Sequence, residues 1–167
     1  KDAVPPTPAQ PASSLPAPVF LSDEVILASC QELLLRLREL SASLEEGAEV
    51  SQPFWNDLLK ILQQFCRFAV LLNSPVLEDM AKKIFIIIFA RQDGRDQAPF
   101  PKDLFFKSAE ALSMILLAVQ KRLAPPEDVG QINGKLQVYI RQNIPDFHNI
   151  NIEEWAGAPE NAVLPPV

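Results

Sequence analysis

The chain has 167 residues, of which 48% are hydrophobic and 22% are charged, and its formal net charge is −6. This apolar fraction is typical of globular domains and argues against a wholly disordered chain. The acidic excess argues against general nucleic-acid binding, which depends on Lys and Arg neutralising phosphates. The longest uninterrupted apolar run, 84–90, has seven residues, whereas a membrane-spanning helix needs about 20, so no span is predicted.

Clusters of proline divide the chain into three regions. Residues 1–20 are rich in Pro, Ala and Ser, which predicts a flexible linker with polyproline character. Residues 21–143 carry helical patterns and predict a helical domain. Residues 144–167 hold four acidic residues, four prolines and no basic residue, and predict an extended acidic tail. Because the part from Phe147 to Trp155 is too apolar for a disordered end, we expect it to be ordered against its own domain or against a partner.

The first two helices are predicted from caps and apolar spacing. The first covers residues 23–46, with Ser22 or Asp23 as its cap and Gly47 at its end. Its single apolar stripe follows a spacing of three and four residues and contains Ile26, Cys30, Leu33, Leu37, Leu40 and Leu44. The second helix follows Ser51. Two adjacent stripes predict that it is buried on several sides: Phe54, Leu58, Ile61, Phe65, Phe68 and Leu72, then Trp55, Leu59, Leu62, Cys66, Ala69 and Val70.

Three further helices follow. Ser74 as a cap and Pro75 in the first turn predict a helix over 75–91, whose run 84–90 makes it the central helix of the domain. A fourth helix is predicted over 102–123 and a fifth over 126–143. The inward positions expected on the fourth are Leu104, Phe105, Ala109, Leu112, Ile115, Leu116, Val119 and Leu123. Gly130 and Gly134 weaken the fifth helix, which indicates either a close helix contact or a marginal helix.

These elements predict an all-α fold, a compact bundle of about five antiparallel amphipathic helices. The alternative is a short HEAT-like array of helical hairpins, because the proline break at Pro75 recurs 51 residues later at Pro126.

The sequence offers little catalytic or metal-binding chemistry. It has two cysteines, Cys30 and Cys66, and one histidine, His148, without the spacing of a zinc site. No phosphate-binding glycine motif is present. We therefore predict no enzyme activity, no cofactor and no metal. Both cysteines lie on apolar stripes and are predicted to be buried free thiols. With no signal peptide or glycosylation motif, this indicates an intracellular protein, cytoplasmic or nuclear.

The leading hypothesis is a non-catalytic adaptor or scaffold module that binds a helix or an extended peptide of a partner protein. The candidate contact residues are aromatic: Phe100, Phe105 and Phe106 near the start of the fourth helix, and Phe147 and Trp155 in the tail. The alternative is a structural or oligomerisation domain of a larger complex, associating through Leu33, Leu37 and Leu40. A third hypothesis is that the basic residues of 82–102 bind an anionic surface.

Overall fold

The computed structural model describes residues 22–45, 52–96 and 100–155. Within these residues the chain forms five α-helices, one short 3₁₀ turn and no strand. The elements are α1 (Asp23–Glu45), α2 (Gln52–Leu71), α3 (Pro75–Gln92), α4 (Lys102–Lys121), α5 (Glu127–Asn143) and the 3₁₀ turn Phe147–Asn149. The all-α prediction is confirmed. The linker predicted over 1–20 and the tail beyond Trp155 lie outside the described residues.

Local chemistry determines where the helices begin and end. The Ser22 hydroxyl accepts a hydrogen bond from the Val25 amide at 3.3 Å, and the Ser74 hydroxyl accepts one from Leu77 at 3.3 Å. Each hydroxyl thereby satisfies an amide that lacks a partner in the first helical turn. Helix α4 ends at Lys121, two residues before the predicted end, because Arg122 adopts a left-handed conformation with φ of 58°.

The helices pack as a compact bundle around α3. Helix α3 contacts α2 most extensively, and it also contacts α4 and α5. Helix α1 packs against both α2 and α4, and so closes the bundle on the side away from α5. Arg36 of α1 pairs with Asp57 of α2 at 3.3 Å, while Arg38 donates to Ser113 of α4 at 3.1 Å. A first helix that bridges α2 and α4 favours the bundle over the hairpin array.

The leucine stripe of α1 faces the inside of this bundle. Leu37 is fully buried, and Leu33 and Leu40 are partly buried against the core. The chain's own helices therefore cover most of the surface through which association was predicted. The large apolar residue that α1 does expose to solvent in its middle turns is Leu35.

Two residues predicted to face inward are instead exposed. Val70, placed in the second stripe of α2, is 58% exposed, and Leu123 is 64% exposed. Val70 lies in the last turn of α2, where no other helix covers that side. Leu123 lies beyond the end of α4, so the helical spacing no longer determines its direction.

A polar triad joins α3 to α5. Lys83 donates to Asp79 at 2.8 Å and to Asn133 at 3.0 Å. Asn133 in turn donates to Asp79 at 3.0 Å. Burial alone raises the pKa of Asp79, but the hydrogen bonds from Lys83 and Asn133 outweigh it and hold that pKa below its usual value. The charged form of Asp79 therefore stabilises the contact between α3 and α5.

The glycines of α5 give a first prediction. Both Gly130 and Gly134 are exposed, and an added Cβ would meet nothing within 4 Å. The structure therefore shows no close helix contact and favours a helix of marginal intrinsic stability. We expect Gly130→Ala and Gly134→Ala each to raise the free energy of unfolding by up to about 1 kcal/mol, measured by urea denaturation. Gly94→Ala is the control and should destabilise, because Gly94 has φ of 79°.

The triad gives a second prediction, in pH dependence. Since the pKa of Asp79 is lowered on folding, its stabilisation is present above the ordinary carboxyl pKa, about 3.9, and is lost as the pH falls through the lowered value. We expect Asp79→Asn to be less stable than the wild type by a constant amount above about pH 5. That difference should shrink below about pH 4 in thermal melts. A difference that does not vary with pH would contradict this role, and Glu110→Gln on the exposed face of α4 is the control.

Candidate functional site

The phenylalanines predicted to meet a partner near α4 lie mostly inside the protein. Phe100 is 8% exposed and Phe105 is 4% exposed, while Phe106 is partly buried. The ring of Phe100 meets Trp55 of α2 edge-on at 5.4 Å between centroids and lies 5.7 Å from Phe105. This aromatic cluster packs the start of α4 against α2. Only Phe106 of these three retains a substantial surface.

Residues 144–155, which we call the C-terminal segment, fold back onto the helices of their own domain. Ile144 and Ile152 are buried, and Phe147, Ile150 and Trp155 are partly buried against the core. The ring of Trp155 meets Phe85 of α3 edge-on at 5.7 Å. Of the two surfaces considered for this segment, the structure therefore shows it on the protein's own helices.

The C-terminal segment is a pair of turns and not an extended strand. The 3₁₀ turn Phe147–Asn149 is followed by a second turn, which the Trp155 amide closes by donating to the Ile152 carbonyl at 3.3 Å. The Asn151 side chain accepts from the Glu153 amide at 3.1 Å. The sequence predicted an extended tail here, but asparagine side chains favour turns by bonding to the backbone two residues on.

Gln63 of α2 binds the backbone of this second turn. Its side-chain amide donates to the Ile152 carbonyl at 2.8 Å and to the Trp155 carbonyl at 3.0 Å. Gln63 is itself buried, so these bonds satisfy a polar group that would otherwise be costly to bury.

An open groove lies next to this contact, between α2, α3 and the C-terminal segment. We call it the α2–α3 groove. Its volume is about 390 Å³, and its lining residues are Gln63, Cys66, Arg67, Val70, Leu71, Glu78, Lys82, Ile152 and Glu153. Val70 and Leu71 are 58% and 57% exposed, so they are the exposed apolar part of the lining. Charges of both signs surround this apolar floor, and Lys82 lies 3.7 Å from Glu78. The groove is large enough for several side chains of a bound peptide.

The thiol of Cys66, which lines this groove, has low reactivity as a nucleophile. Burial raises the pKa of Cys66 to about 12, and the nearby positive charge of Lys82 offsets only part of that effect. Burial raises the pKa of Cys30 to about 11. A thiol that remains protonated at neutral pH is a weak nucleophile. The Cys66 side chain therefore acts as apolar lining of the groove.

A tyrosine–carboxylate contact lies elsewhere, where the chain leaves α3. The Tyr139 hydroxyl donates to Asp96 at 2.6 Å. Burial, and then the bond to Asp96, raise the pKa of Tyr139, while the positive charge of Arg91 acts in the opposite direction. Asp96 and Arg91 are nearly inaccessible to solvent, so a dissolved substrate cannot reach them. The hydrogen bond between Tyr139 and Asp96 joins α5 to the turn after α3, which is a structural role.

The basic residues proposed for an anionic surface are partly engaged in the fold. Arg91 is buried, and Lys83 belongs to the triad with Asp79. Arg95 pairs with Asp93 at 2.7 Å and with Asp146 of the C-terminal segment at 2.8 Å. Their contribution to a free basic surface is therefore small.

The described residues contain neither a cluster of metal ligands nor a helix that could cross a membrane. Within 22–45, 52–96 and 100–155, no three His, Cys, Asp or Glu side chains are grouped so that they could hold a metal ion. In the same part of the chain, no helix is both long and apolar enough to cross a bilayer.

A second apolar hollow lies at the junction of α4 and α5, with a volume of about 190 Å³. Its lining includes Leu117 and Leu123, both exposed. The α2–α3 groove is the stronger candidate because it is larger, its rim carries charges of both signs, and a neighbouring chain segment is already bound at its edge.

The chain matches no protein-family model, no curated protein and no solved structure with which it was compared. Its function must therefore be argued from the geometry of this chain alone.

One feature of the sequence indicates the exposed apolar floor of the groove, although the helical spacing did not predict this floor. Residues 68–72 are five consecutive apolar residues at the end of a helix. Successive helical residues point about 100° apart, so five such residues cannot all face one core. Some of them must face outward, as Val70 and Leu71 do. Gln63 gave no such signal, because its partners lie far away in the chain.

The C-terminal segment gives a third prediction. The sequence alone suggested that Trp155 contributes to binding and not to stability. Since its ring packs on Phe85 and is partly buried against the core, we expect Trp155→Ala to lower the free energy of unfolding by about 1–2 kcal/mol. Thermal melts of the full chain measure this, with the exposed Glu154→Ala as control. Identical melts for the two variants would show that Trp155 does not pack on α3 in solution.

Proposed function

We propose that this chain is a non-catalytic protein–protein interaction module that binds a helix or an extended peptide of a partner in the α2–α3 groove. One observation carries the proposal. The groove's edge already binds a chain segment through its backbone carbonyls and through Ile152, and the apolar floor continues beyond that segment, uncovered, over Val70 and Leu71. Exposed apolar surface in a concave site bordered by polar residues is typical of peptide-binding surfaces.

The lining indicates what kind of peptide would fit. The volume of about 390 Å³ and the apolar floor suit a few apolar side chains. Arg67 and Lys82 can pair with acidic residues of the partner, and Glu78 and Glu153 with basic ones. We therefore expect a short amphipathic partner segment whose charges flank its apolar residues.

The buried free thiols of Cys30 and Cys66 suit a reducing compartment. We accordingly place the module in the cytoplasm or the nucleus as part of the same proposal.

The alternative function, a structural or oligomerisation domain of a larger complex, has its own supporting observation. The α4–α5 hollow exposes Leu117 and Leu123, whereas the α1 stripe first considered for association is largely covered. Light scattering separates the two functions. Association that increases with concentration and is abolished by Leu117→Asp with Leu123→Asp would support the alternative.

Selection of peptides tests the leading proposal and gives a fourth prediction. A displayed library of random 12-residue peptides is selected against the full chain, and the affinities of selected peptides are then measured by calorimetry. We expect Val70→Asp with Leu71→Asp to weaken binding about tenfold or more, because two charges would be buried under the apolar side chains of the peptide.

The control for this selection is Val138→Asp, a comparably exposed position on α5. It should leave the affinities unchanged. Equal affinities for the groove variant and the wild type, with both folded by circular dichroism, would show that the peptides bind elsewhere and would contradict the proposal.

A further inference from the structure

We propose that the outer face of α1 and α4 is the contact between two copies of this chain in a two-fold symmetric dimer. Leu35 of α1 and Leu117 of α4 form the centre of this face, which we call the α1–α4 face. The inference goes beyond the proposed function, because the α2–α3 groove is lined by α2, α3 and the C-terminal segment. A dimer formed through α1 and α4 would therefore carry two open grooves.

Helices α1 and α4 form an antiparallel layer at the surface of the bundle. Arg38, in the second half of α1, donates to Ser113 in the middle of α4 at 3.1 Å. The first half of α1 lines a hollow together with the last turns of α4. Leu35 is three residues before Arg38, and Leu117 is four residues after Ser113. Because the two helices run in opposite directions, the two leucines lie at about the same height on neighbouring helices.

Both leucines point away from the core of the bundle. Leu35 is 59% exposed and Leu117 is 49% exposed. Leu37 and Ile115 lie about 160° around their helices from these leucines, at 100° per residue, and both are fully buried. The packing that buries one side of each helix therefore directs Leu35 and Leu117 into solvent. Since packed helices are about 10 Å apart, the two side chains give the layer an apolar centre.

A two-fold axis parallel to the helices matches this face to itself. Such an axis places α1 of one copy over α4 of the other copy and keeps every residue at its height along the layer. Leu35 of each copy then meets Leu117 of the other. Two leucine pairs form the centre of the interface, where apolar side chains contribute most to association.

The charged residues around the leucines are complementary in the same arrangement. On α1, Glu32 and Arg38 lie on either side of the exposed leucine, and on α4 Lys121 and Glu110 do the same. Glu32, Arg38, Glu110 and Lys121 are all exposed. Because the helices are antiparallel, Glu32 of one copy approaches Lys121 of the other, and Arg38 approaches Glu110. Glu39, beside Arg38, repels Glu110 and weakens this second pair, so the first pair is the better probe.

The size of the face determines how tight the dimer can be. Helices α1 and α4 run side by side for about 25 Å, and two adjacent helices are about 20 Å wide. Each copy therefore buries about 500 Å², and the total of about 1,000 Å² is near the lower limit for a specific interface. We expect monomer and dimer to be in equilibrium at micromolar concentrations.

The test measures the molar mass of the full chain by light scattering across the micromolar range. We expect the mass to rise from that of a monomer toward that of a dimer as the concentration increases. Leu35→Asp should weaken association about tenfold or more, because a charge would be buried at the centre of the face. The matched control is Val25→Asp, which is also exposed on α1 but lies about 80° around the helix from Leu35. It should associate like the wild type.

Charge reversal tests the arrangement of the two copies. Glu32→Lys and Lys121→Glu each bring like charges together, and each should weaken association about threefold. The variant with both changes should recover the affinity of the wild type, because opposite charges are paired again. Both positions are exposed, so the fold should persist, and circular dichroism checks this. A double variant that associates no better than the single variants would overturn the arrangement.

The remaining outcomes separate this face from the other surfaces of the protein. A chain that stays monomeric, or a Leu35→Asp variant that associates like the wild type, would overturn the inference. Leu117 also lines the α4–α5 hollow, so loss of association in Leu123→Asp but not in Leu35→Asp would place the contact at that hollow and overturn the inference. Peptides selected for the α2–α3 groove should bind Leu35→Asp and the wild type equally. Failure of the dimer and failure of the proposed function are therefore observed separately.

Discussion

The structure depends on the need to cover α3 on nearly every side. Seven consecutive apolar residues, 84–90, cover almost the full circumference of a helix at 100° per residue, so a single neighbour cannot bury them. Helices α2, α4 and α5 each pack against α3, and the ring of Trp155 covers part of the side they leave open, at Phe85. Helix α1 then packs against α2 and α4. The apolar run 84–90 therefore determines where α2, α4, α5 and Trp155 pack, and α1 packs on two of these helices.

The candidate site lies where the packing around α2 and α3 ends. The C-terminal segment lies along the junction of α2 and α3 and buries Ile152 beside Gln63. Beyond it, Val70 and Leu71 in the last turn of α2 stay exposed. The groove is thus the uncovered end of the most extensive helix contact in the bundle. Its floor is apolar, and burial raises the pKa of the Cys66 thiol, so that thiol remains protonated at neutral pH.

Local sequence patterns predicted the helices. They did not predict contacts between residues that are far apart in the chain. Caps and prolines are local, so Ser74 and Pro75 marked the start of α3 within the sequence itself. Helical spacing predicted that Phe105 faces inward, as it does. Phe100 precedes α4, where helical spacing carries no information about burial, and its contact with Trp55 joins separate parts of the chain. Likewise, Gln63 binds carbonyls about 90 residues away. A single sequence does not encode such a pairing in its periodicity, so the edge of the groove that the C-terminal segment forms was not predicted from the sequence.

The strength of the C-terminal segment's attachment bears on how such a groove could be regulated. Its ion pair between Asp146 and Arg95 is partly exposed, and exposed pairs contribute only about 0–1 kcal/mol. The remaining anchors are the buried Ile144 and Ile152, three partly buried side chains and two hydrogen bonds from Gln63. A segment of short turns has fewer buried groups than the helices it covers and opens at lower free energy than they do. Opening of this segment would remove Ile152 from the lining and enlarge the groove while the α2–α3 pair stays intact. Partner binding and local opening would then be thermodynamically linked, because a ligand that prefers the open form shifts the population toward it.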